Sequence, residues 1–591
     1  MKKVVWLLVS CLMVLSLVIA SCGPEGEVEE EEEVEGLRSP TEPKYGGTIT
    51  AVGWDLGPID PTTAQAIRVG HMQLTSNELL QGDWAKGPQG TGETLWEWGF
   101  LGDVTLEVGE LAESWEMPDD ETIIYNIRKD AYYHDKPPAN GRQVTAEDVV
   151  WNIHYQFNYP GCWQTMTYPP NEAAKVADRM LPGSPLRPTS VKALDNYTVE
   201  VKVPAESQGI IFLEIGDNLY TNPPECWEEE DGWQTWDEVI GSGPFMLTDY
   251  VSGSSLTYTK FDKYYEEDPL HPGNKWPYID TLKFLVIPDV SSQLAALRTG
   301  GTDLAARIGF EDALDMMERC PDLQYSKLLG TPYVAAGRMD KPELPFHDLK
   351  VRQALNLAVD QQEILDDYLK GQGVLLGYPY HPTPSYEKYY TALEDMPEEV
   401  QMLFEYDVER AKELLTEAGY PNGFTTHIIT TAGQSDEVSM LKAYLSDIDV
   451  DLEIEVVEVG AWNGIDAANS HEEMFYGIAK GCWAPFEMLQ TKKGVYSNYA
   501  IIDDPYYDHV QEVIGKDMVK NPDNYFETMK EAGVYELASA WGIWMPNRYS
   551  YVMWWPWVQN YFGIVWSGWA NISDWYKGIW IDEEMKESMG Y

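Results

Sequence analysis

The first side chain in this sequence with an evident chemical use is the thiol of Cys22, which follows two small residues, Ala20 and Ser21. Upstream, a basic tip precedes an almost wholly apolar run over residues 4–20. A basic start, a short apolar segment and small residues at its end are typical of a secretory signal peptide. We therefore predict a signal peptide over residues 1–21, with a nucleophilic thiol directly behind it.

The segment Ile19-Ala20-Ser21-Cys22 resembles the lipobox of bacterial lipoproteins. In that family the chain is cut before the cysteine, whose sulfur then carries a diacylglycerol. Two or more acyl chains hold a protein on a bilayer durably, whereas one does not. The resemblance implies lipid attachment at Cys22. The alternative is a cleaved signal peptide followed by an incidental cysteine.

An acidic stretch follows this cysteine. Eight glutamates lie between residues 25 and 35, and such a segment cannot build a core because its like charges repel one another. We predict a disordered, lipid-anchored tether over residues 22–44. The whole chain has a formal net charge of −56, which argues against nucleic acid as a partner and against a folded part resting on anionic lipid.

The residue patterns of common enzymes and metal sites are absent from the sequence. It contains no HExxH, Walker or GxSxG motif, and its nine histidines are scattered. We therefore predict no enzyme activity, no cofactor and no metal site. Four cysteines remain beyond Cys22 in a compartment that permits disulfides, and the sequence leaves their pairing open: Cys162, Cys226, Cys320 and Cys482.

Helix and strand signals alternate along the rest of the chain. Short strands are predicted around residues 46–52, 123–127 and 197–201, and helices are predicted to begin at Thr145, Asp348 and Asp407. Three helices have apolar residues on one side, predicted to face inward: Val149, Val150, Ile153 and Phe157; Val351, Ala354, Leu355 and Ala358; and Leu414, Leu415 and Ala418. Mixed elements at these spacings predict an α/β fold, and 591 residues predict two or three domains.

One uncharged stretch, over residues 549–573, has the length of a membrane span. It contains Pro556, Gln559 and two asparagines, and its Trp and Tyr residues are spread throughout instead of gathering at two interfaces. We therefore predict buried strands with turns.

The order of short segments resembles the family 5 extracellular solute-binding proteins, the oligopeptide-binding class that serves ABC importers. Each segment alone is a weak signal, but together they occur in family order. They are Leu111-Ala112-Glu113-Ser114-Trp115-Glu116, Asn140-Gly141-Arg142, Thr145-Ala146-Glu147-Asp148, Gly241-Ser242-Gly243-Pro244-Phe245, Pro277-Tyr278-Ile279-Asp280, Phe346-His347-Asp348-Leu349 and Ala418-Gly419-Tyr420-Pro421.

This resemblance implies a two-lobe α/β fold of the periplasmic-binding-protein type II class, with an extra subdomain in the first lobe and a hinge between the lobes. Lobe I is expected over residues 45–330, with the inserted subdomain at about 96–190. Lobe II is expected over 331–539, and 540–591 is expected to return to lobe I. Because Cys162 and Cys226 fall in the same lobe, they either form a disulfide bond or remain two buried thiols.

The resemblance also places two ligand-facing loops. The first follows the first strand and holds Trp54, Asp55 and Leu56. The second holds Cys482, Trp483 and Glu487, where peptide binders carry a W-x-x-D-Y-x-D-P-like loop whose aspartate grips the α-ammonium. That aspartate is missing here, so either Glu487 or Asp55 replaces it, or the ligand has no ammonium group.

The family implies an extracytoplasmic protein that captures a solute, most readily an oligopeptide, and delivers it to the permease subunits of an ABC importer. We expect a monomer. An oligosaccharide or another non-peptide solute is the first alternative, because Trp and Tyr also stack on sugars. A secreted glycoside hydrolase is more distant and would need two facing carboxyl groups in a cleft.

The lipobox reading predicts that Cys22→Ala abolishes acylation. In a lipoprotein-processing host, the variant should move from the detergent phase to the aqueous phase in a phase-separation assay, because it has lost its acyl chains. A variant that still partitions into detergent as the parent does would show that Cys22 is not the anchor.

Overall fold

The computed structural model of the chain describes residues 42–56, 71–96, 102–159, 162, 164, 187–228, 232–330, 332–479, 498–568 and 574–591. The predicted signal peptide, the lipid-attachment residue Cys22 and all but the last three residues of the tether lie outside these ranges. So do three predicted site residues, Cys482, Trp483 and Glu487. Among the described residues, no helix combines the length and apolar character that a membrane crossing needs.

The largest element is an eight-stranded mixed sheet, which we call the large sheet. Its central strand, Thr48–Gly53, runs parallel to both neighbours and buries Ile49 and Ala51 completely on alternate positions. In spatial order the strands are Gln324–Leu329, Asn547–Trp554, Leu304–Gly309, Thr48–Gly53, Thr281–Val286, Ser255–Lys260 and Phe245–Val251, with Gly373–Val374 paired to Asn547–Trp554.

A buried carboxylate joins three distant parts of the chain beside the large sheet. Asp303 is fully buried, and its Oδ2 accepts a hydrogen bond of 2.7 Å from the backbone N–H of Thr50. Its Oδ1 accepts from the Trp557 indole at 2.8 Å and from the Lys586 ammonium at 2.6 Å. Hydrogen bonds to an ionised group are the stronger kind, so one side chain holds the first strand, the middle of the chain and the C-terminal segment together.

A second sheet has five strands, and we call it the second sheet. Its order is Val450–Val457, Phe424–Thr431, Met474–Ile478, Tyr333–Gly337 and Ile543–Trp544. The first three strands are parallel, and the last two pairings are antiparallel.

The core of the second sheet includes helices Leu349–Leu357, Val408–Glu417 and Ser435–Ser446. The inward faces predicted for the first two helices are confirmed, since Val351, Ala354, Leu355, Ala358, Leu414 and Leu415 are buried and Ala418 is partly buried.

A third, antiparallel sheet has the order Ala112–Asp119, Thr122–Ile127, Thr198–Lys202, Ser190–Asp195. Helix Ala146–Asn158 packs on it and begins where the capping box predicts, with Asp148 Oδ2 accepting the backbone N–H of Thr145 at 2.8 Å. Its predicted inward residues Val149, Ile153 and Phe157 are fully buried and Val150 is partly buried. Two of its strands lie within the range expected for the inserted subdomain, about 96–190, and the other two lie at or beyond the end of that range. The domain boundaries themselves stay predictions.

Shorter elements connect the three sheets. Among the described residues, the remaining helices are His71–Thr75, Gln208–Gly216, Glu225–Glu228, Val290–Arg298, Phe310–Arg319, Gln361–Glu363, Glu398–Gln401, Val459–Ala468, Pro505–Lys520, Pro522–Ala538 and Glu583–Ser588, with a π-helical turn at Ile364–Tyr368. Two small hairpin-like pairs join Leu80–Gly82 to Glu107–Gly109 and Val558–Gln559 to Trp580–Ile581. Short 3₁₀ turns occur at Trp84–Lys86, Val104–Leu106, Ala205–Ser207, Trp236–Glu238, Pro345–His347, Pro384–Tyr386, Leu393–Asp395, Met402–Phe404, Ala432–Gln434 and Asp574–Gly578.

The uncharged stretch from residue 549 enters the core. Tyr551, Val552, Met553 and Trp554 continue a strand of the large sheet and are fully buried, and Trp557 is fully buried just beyond it. Cys162, Cys226 and Cys320 are also buried. The disulfide between Cys162 and Cys226 stays a prediction.

The chain passes from the large sheet to the second sheet between Leu329 and Tyr333 and returns between Trp544 and Asn547. The two crossings contact each other, because Asn547 Nδ2 donates to the Gly330 carbonyl at 2.9 Å and the Gly330 N–H donates to the Arg548 carbonyl at 2.9 Å. The strand Gly373–Val374 pairs with the same two residues of the returning strand. Adjacent crossings of this kind form a hinge.

Glu536, on helix Pro522–Ala538, is a buried acid whose Oε1 accepts a hydrogen bond from the Tyr378 hydroxyl. Burial raises its pKa to about 8, against the opposing effect of the Tyr378 hydrogen bond. In the unfolded chain the Glu536 carboxyl group ionises at about pH 4.3, whereas in the folded protein it stays protonated up to a pH of about 8. Glu536 therefore lowers the free energy of unfolding progressively as pH rises through that window.

We therefore expect Glu536→Gln to gain stability relative to the parent as pH rises from 5 towards 8, by up to about 1.4 kcal/mol per pH unit. Urea unfolding of both proteins across this range measures the difference. Glu527→Gln, an exposed change on the same helix, should show no such trend. A difference between Glu536→Gln and the parent that does not change with pH would contradict the assignment.

Candidate ligand-binding cleft

The carboxyl ends of the three parallel strands at the centre of the large sheet lie at one edge. Trp54, Asp55 and Leu56 directly follow the strand Thr48–Gly53, and helix Phe310–Arg319 directly follows the strand Leu304–Gly309. Ligands of open α/β sheets bind outside this edge. The predicted first loop therefore begins where such a site is expected.

Trp54 and Arg307 form a stacked pair at this edge. The Trp54 side chain is 58% exposed, and the Arg307 guanidinium carbon lies 5.0 Å from the centre of its ring system. Arg307 is itself exposed. Trp54 is predicted from the sequence, whereas Arg307 is not, because an arginine within a strand gives no signal of a partner more than 250 positions away.

Asp55 is held by the neighbouring hairpin. Its Oδ1 accepts from the Tyr250 hydroxyl at 2.8 Å and from the Leu56 N–H at 2.9 Å, and its Oδ2 accepts from the Gly253 N–H at 3.1 Å. These bonds tie the loop to the turn between two strands of the large sheet. Leu56 packs against the core. A direct ligand contact by Asp55 or Leu56 stays a prediction.

The second sheet presents aromatic and acidic side chains at its corresponding edge. Tyr333, which pairs with Ile478 at the end of a parallel strand, stacks on Tyr476 with ring centres 5.5 Å apart. The Tyr476 hydroxyl donates to Glu437 Oε2 at 2.7 Å. Burial and the Glu437 carboxylate raise the pKa of Tyr476 well above its usual range, so it remains a neutral donor.

One ion pair joins the large sheet to the second sheet, and a further ion pair links two segments that adjoin strands of the large sheet. Arg548, at the start of a large-sheet strand, lies 3.0 Å from Glu437 on the helix after the second sheet's strand Phe424–Thr431. Lys370 lies 3.0 Å from Glu311 in the first turn of helix Phe310–Arg319. The Arg548–Glu437 pair therefore holds the second sheet's edge against the large sheet beside the two chain crossings. We call the region between these two edges the cleft. Neither pair was identified from the sequence, since their members are widely separated in the chain.

The second predicted loop follows the strand Met474–Ile478 in the chain, and its candidates Cys482, Trp483 and Glu487 lie outside the described residues. If both loops face the ligand, as the family resemblance implies, Trp483 is expected opposite Trp54, and this stays a prediction. In the part of the chain that the structure describes, no group of three or more His, Cys, Asp or Glu side chains is arranged to hold a metal ion.

A model of the bacterial extracellular solute-binding proteins, family 5 middle, matches residues 107–499. The chain belongs to this family. The resemblance drawn from the short segments is confirmed, as is the two-lobe fold: the solved structure of DppA from Helicobacter pylori, in complex with peptide STSA, superposes with a TM-score of 0.66. That match has 20% sequence identity and covers 91% of this chain and 98% of the other.

Curated relatives of this family 5 protein include Heme-binding protein A of Haemophilus influenzae, 30% identical over 337 residues. This match covers 54% of each chain, so the chain spans about half the length of that relative. The periplasmic oligopeptide-binding protein OppA of the same species is 25% identical over 451 residues, covering 69% of this chain and 78% of OppA.

The two ion pairs differ in burial, and burial determines how much each pair contributes to the stability of this family 5 protein. The Glu437 side chain is 12% exposed, whereas those of Glu311 and Lys370 are 69% and 60% exposed. We expect Arg548→Met to lower the free energy of unfolding by about 1–3 kcal/mol, because Glu437 loses its counter-charge. Lys370→Met should cost less than about 1 kcal/mol.

Urea unfolding measures both effects. The double variant Glu437→Gln with Arg548→Met should lose less stability than the sum of its single changes, because each single change leaves the other partner unsatisfied. Equal losses for Arg548→Met and Lys370→Met would show that burial of Glu437 does not decide the effect.

Proposed function

We propose that this protein is an extracytoplasmic solute-binding lipoprotein that captures a peptide between its two lobes and delivers it to the permease subunits of an ABC importer. The observation that carries the proposal is the pair of facing sheet edges. One edge bears the exposed Trp54–Arg307 stack, the other bears Tyr333 and Tyr476, and an ion pair between Arg548 and Glu437 joins the two beside the chain crossings.

Capture follows from this arrangement. A solute that contacts both edges interacts with both lobes only when they are closed, so its binding shifts the population towards the closed form. The importer then recognises the closed form. No bond of the solute is broken, and the protein acts as a monomer, without a cofactor and without nucleic acid.

Peptide is the favoured ligand class for two reasons. OppA is named as an oligopeptide-binding protein, and the H. pylori DppA was solved in complex with a peptide. In addition, a cleft with aromatic faces and with charges of both signs suits a peptide, which has charged termini and varied side chains. Large rigid aromatic contacts give binding area at little conformational-entropy cost.

A non-peptide solute is the second candidate. Heme-binding protein A, at 30% identity, is named for a ligand that is not a peptide. The second loop also lacks the aspartate with which peptide binders hold an ammonium, and its candidate replacement is Glu487. Mass spectrometry of the ligand released from purified protein separates the two candidates directly.

The peptide proposal predicts that Trp54→Ala, Trp483→Ala and Glu487→Gln each weaken peptide binding. Loss of either aromatic contact should cost about 1–3 kcal/mol, or roughly 5- to 150-fold in affinity. Acetylating the peptide's amino terminus should reproduce the loss caused by Glu487→Gln. Calorimetry with the released peptide measures all of these effects.

Trp236→Ala is the matched control, because Trp236 is a partly exposed tryptophan on a 3₁₀ turn that contacts the large-sheet strand Phe245–Val251, outside both predicted ligand-facing loops. It should bind like the parent. If neither cleft tryptophan variant binds more weakly than the parent, the cleft is assigned to the wrong place. A non-peptide ligand predicts losses for the two tryptophan variants and only a hydrogen-bond-sized effect at Glu487.

A further inference from the structure

A pocket of about 420 Å³ lies at the opposite end of the large sheet's central strands from the cleft. Two residues of its wall, Lys275 and Trp276, come just before the strand Thr281–Val286, whereas Trp54 directly follows the parallel strand Thr48–Gly53. These two strands are paired along their whole length, and a strand of six residues spans roughly 20 Å. The pocket and the cleft are therefore separate places on the molecule.

Distant parts of the chain build the wall of this pocket. The paired strands Leu80–Gly82 and Glu107–Gly109 form one side, and Arg128 joins them from just beyond a strand of the third sheet. Lys577 comes from the end of the chain, where its carbonyl accepts the N–H of Tyr278 at 3.2 Å. The volume is within the range of about 300–1,000 Å³ that is usual for small-molecule sites.

Most charged side chains of the wall are arranged as ion pairs. The three pairs and their N–O distances are Lys577–Glu266 at 2.6 Å, Arg128–Asp130 at 3.1 Å and Lys275–Glu267 at 3.3 Å. The first pair is buried and the other two lie towards solvent. A further acid, Asp83, accepts the N–H of Ala85 at 3.0 Å. Because the pairs cancel in charge, the wall keeps only the single charge of Asp83.

Paired charges favour one ligand chemistry over others. A ligand carboxylate or ammonium has to displace one member of a pair, and this leaves the other member without its counter-charge, at a high cost where the pair is buried. A hydroxyl group accepts a hydrogen bond from the cation and donates one to the carboxylate, so it adds to a pair without breaking it. Several hydroxyls on one small molecule therefore match this wall better than an ion does.

Aromatic side chains supply the apolar part of the wall. Trp84 and Trp276 meet edge to face with ring centres 5.9 Å apart. The Lys577 ammonium lies 5.0 Å from the centre of the Trp276 ring, and the Arg128 guanidinium carbon lies 4.5 Å from the centre of the Tyr265 ring. Two of the paired cations are thus held beside aromatic rings. A sugar ring carries both C–H groups and hydroxyls, and this wall offers an aromatic or a polar contact for each.

We propose that this pocket is a second binding site, which takes a neutral sugar of one or two rings. The ion pairs bind its hydroxyls, and the aromatic side chains contact its C–H groups. All residues of the wall fall within the ranges expected for lobe I, so occupation of the pocket does not require the lobes to close. The inference is independent of the proposed capture of peptides in the cleft.

The test uses the purified full-length protein and saturation-transfer NMR with a defined panel of sugars. The neutral probes are glucose, galactose, N-acetylglucosamine, maltose and cellobiose. The charged probes are glucuronate and, in slightly acidic buffer, protonated glucosamine. At least one neutral sugar should bind, and the best of them should bind about tenfold more tightly than either charged probe, because a charged group disturbs an existing pair.

Two variants test whether the sugar occupies the pocket. Val108→Trp fills the volume from a partly buried position of the wall, and Arg128→Met removes the cation of one pair. Each should weaken sugar binding by about tenfold or more. The matched control is Arg319→Met, which removes the cation of an exposed ion pair outside the pocket. It should bind sugar as the wild type does. Thermal unfolding checks that each variant is folded.

Three results would overturn the inference: no sugar of the panel binds, a charged probe binds as tightly as the best neutral one, or neither pocket variant binds more weakly than the wild type. A sugar that is lost in Trp54→Ala and kept in Val108→Trp occupies the cleft, which also overturns the inference and instead supports a non-peptide solute for capture. Sugar binding that depends on Val108 and Arg128 but not on Arg319 supports the inference, whichever solute the cleft captures.

Discussion

The buried carboxylate of Asp303 is the contact on which the cleft depends. It accepts a hydrogen bond from Thr50 in the strand that leads to Trp54, and it directly precedes the strand that carries Arg307. Its other oxygen is held by Trp557 and Lys586 from the end of the chain. A fully buried charge is tolerated only when it is paired and hydrogen-bonded, so this arrangement fixes the relative position of the two strands that deliver the stacked pair.

The charged groups form a graded series from core to cleft. Asp303 is fully buried and engaged by a cation and two N–H donors, Glu437 is mostly buried and shared between Arg548 and Tyr476, and the Lys370–Glu311 pair is exposed. The first is a permanent part of the fold. The second joins the large sheet to the helix that follows a strand of the second sheet, whereas the third joins segments next to two strands of the large sheet.

Much of the architecture follows from local sequence. The Thr145–Asp148 capping box predicts the start of a helix, and apolar spacing predicts its buried face, because both signals lie within one or two turns. The order of the family segments predicts the two lobes. The Trp54–Arg307 stack and the Glu437–Arg548 pair depend on tertiary pairing across 253 and 111 positions, so no local pattern reveals them. Asp55 shows the converse: a residue chosen for its position in a loop is engaged by a distant hairpin.

The hydrogen-bonded crossings beside Asn547 keep the two lobes close together at all times. Because Gly330, Asn547 and the strand Gly373–Val374 join the lobes along one narrow line, each lobe is held permanently within reach of the other. Each lobe therefore meets the other at a high effective concentration, as in a linked pair of binding modules. Under the proposed capture mechanism, weak contacts on each face would then be sufficient for binding, and release would require only that the lobes rotate apart.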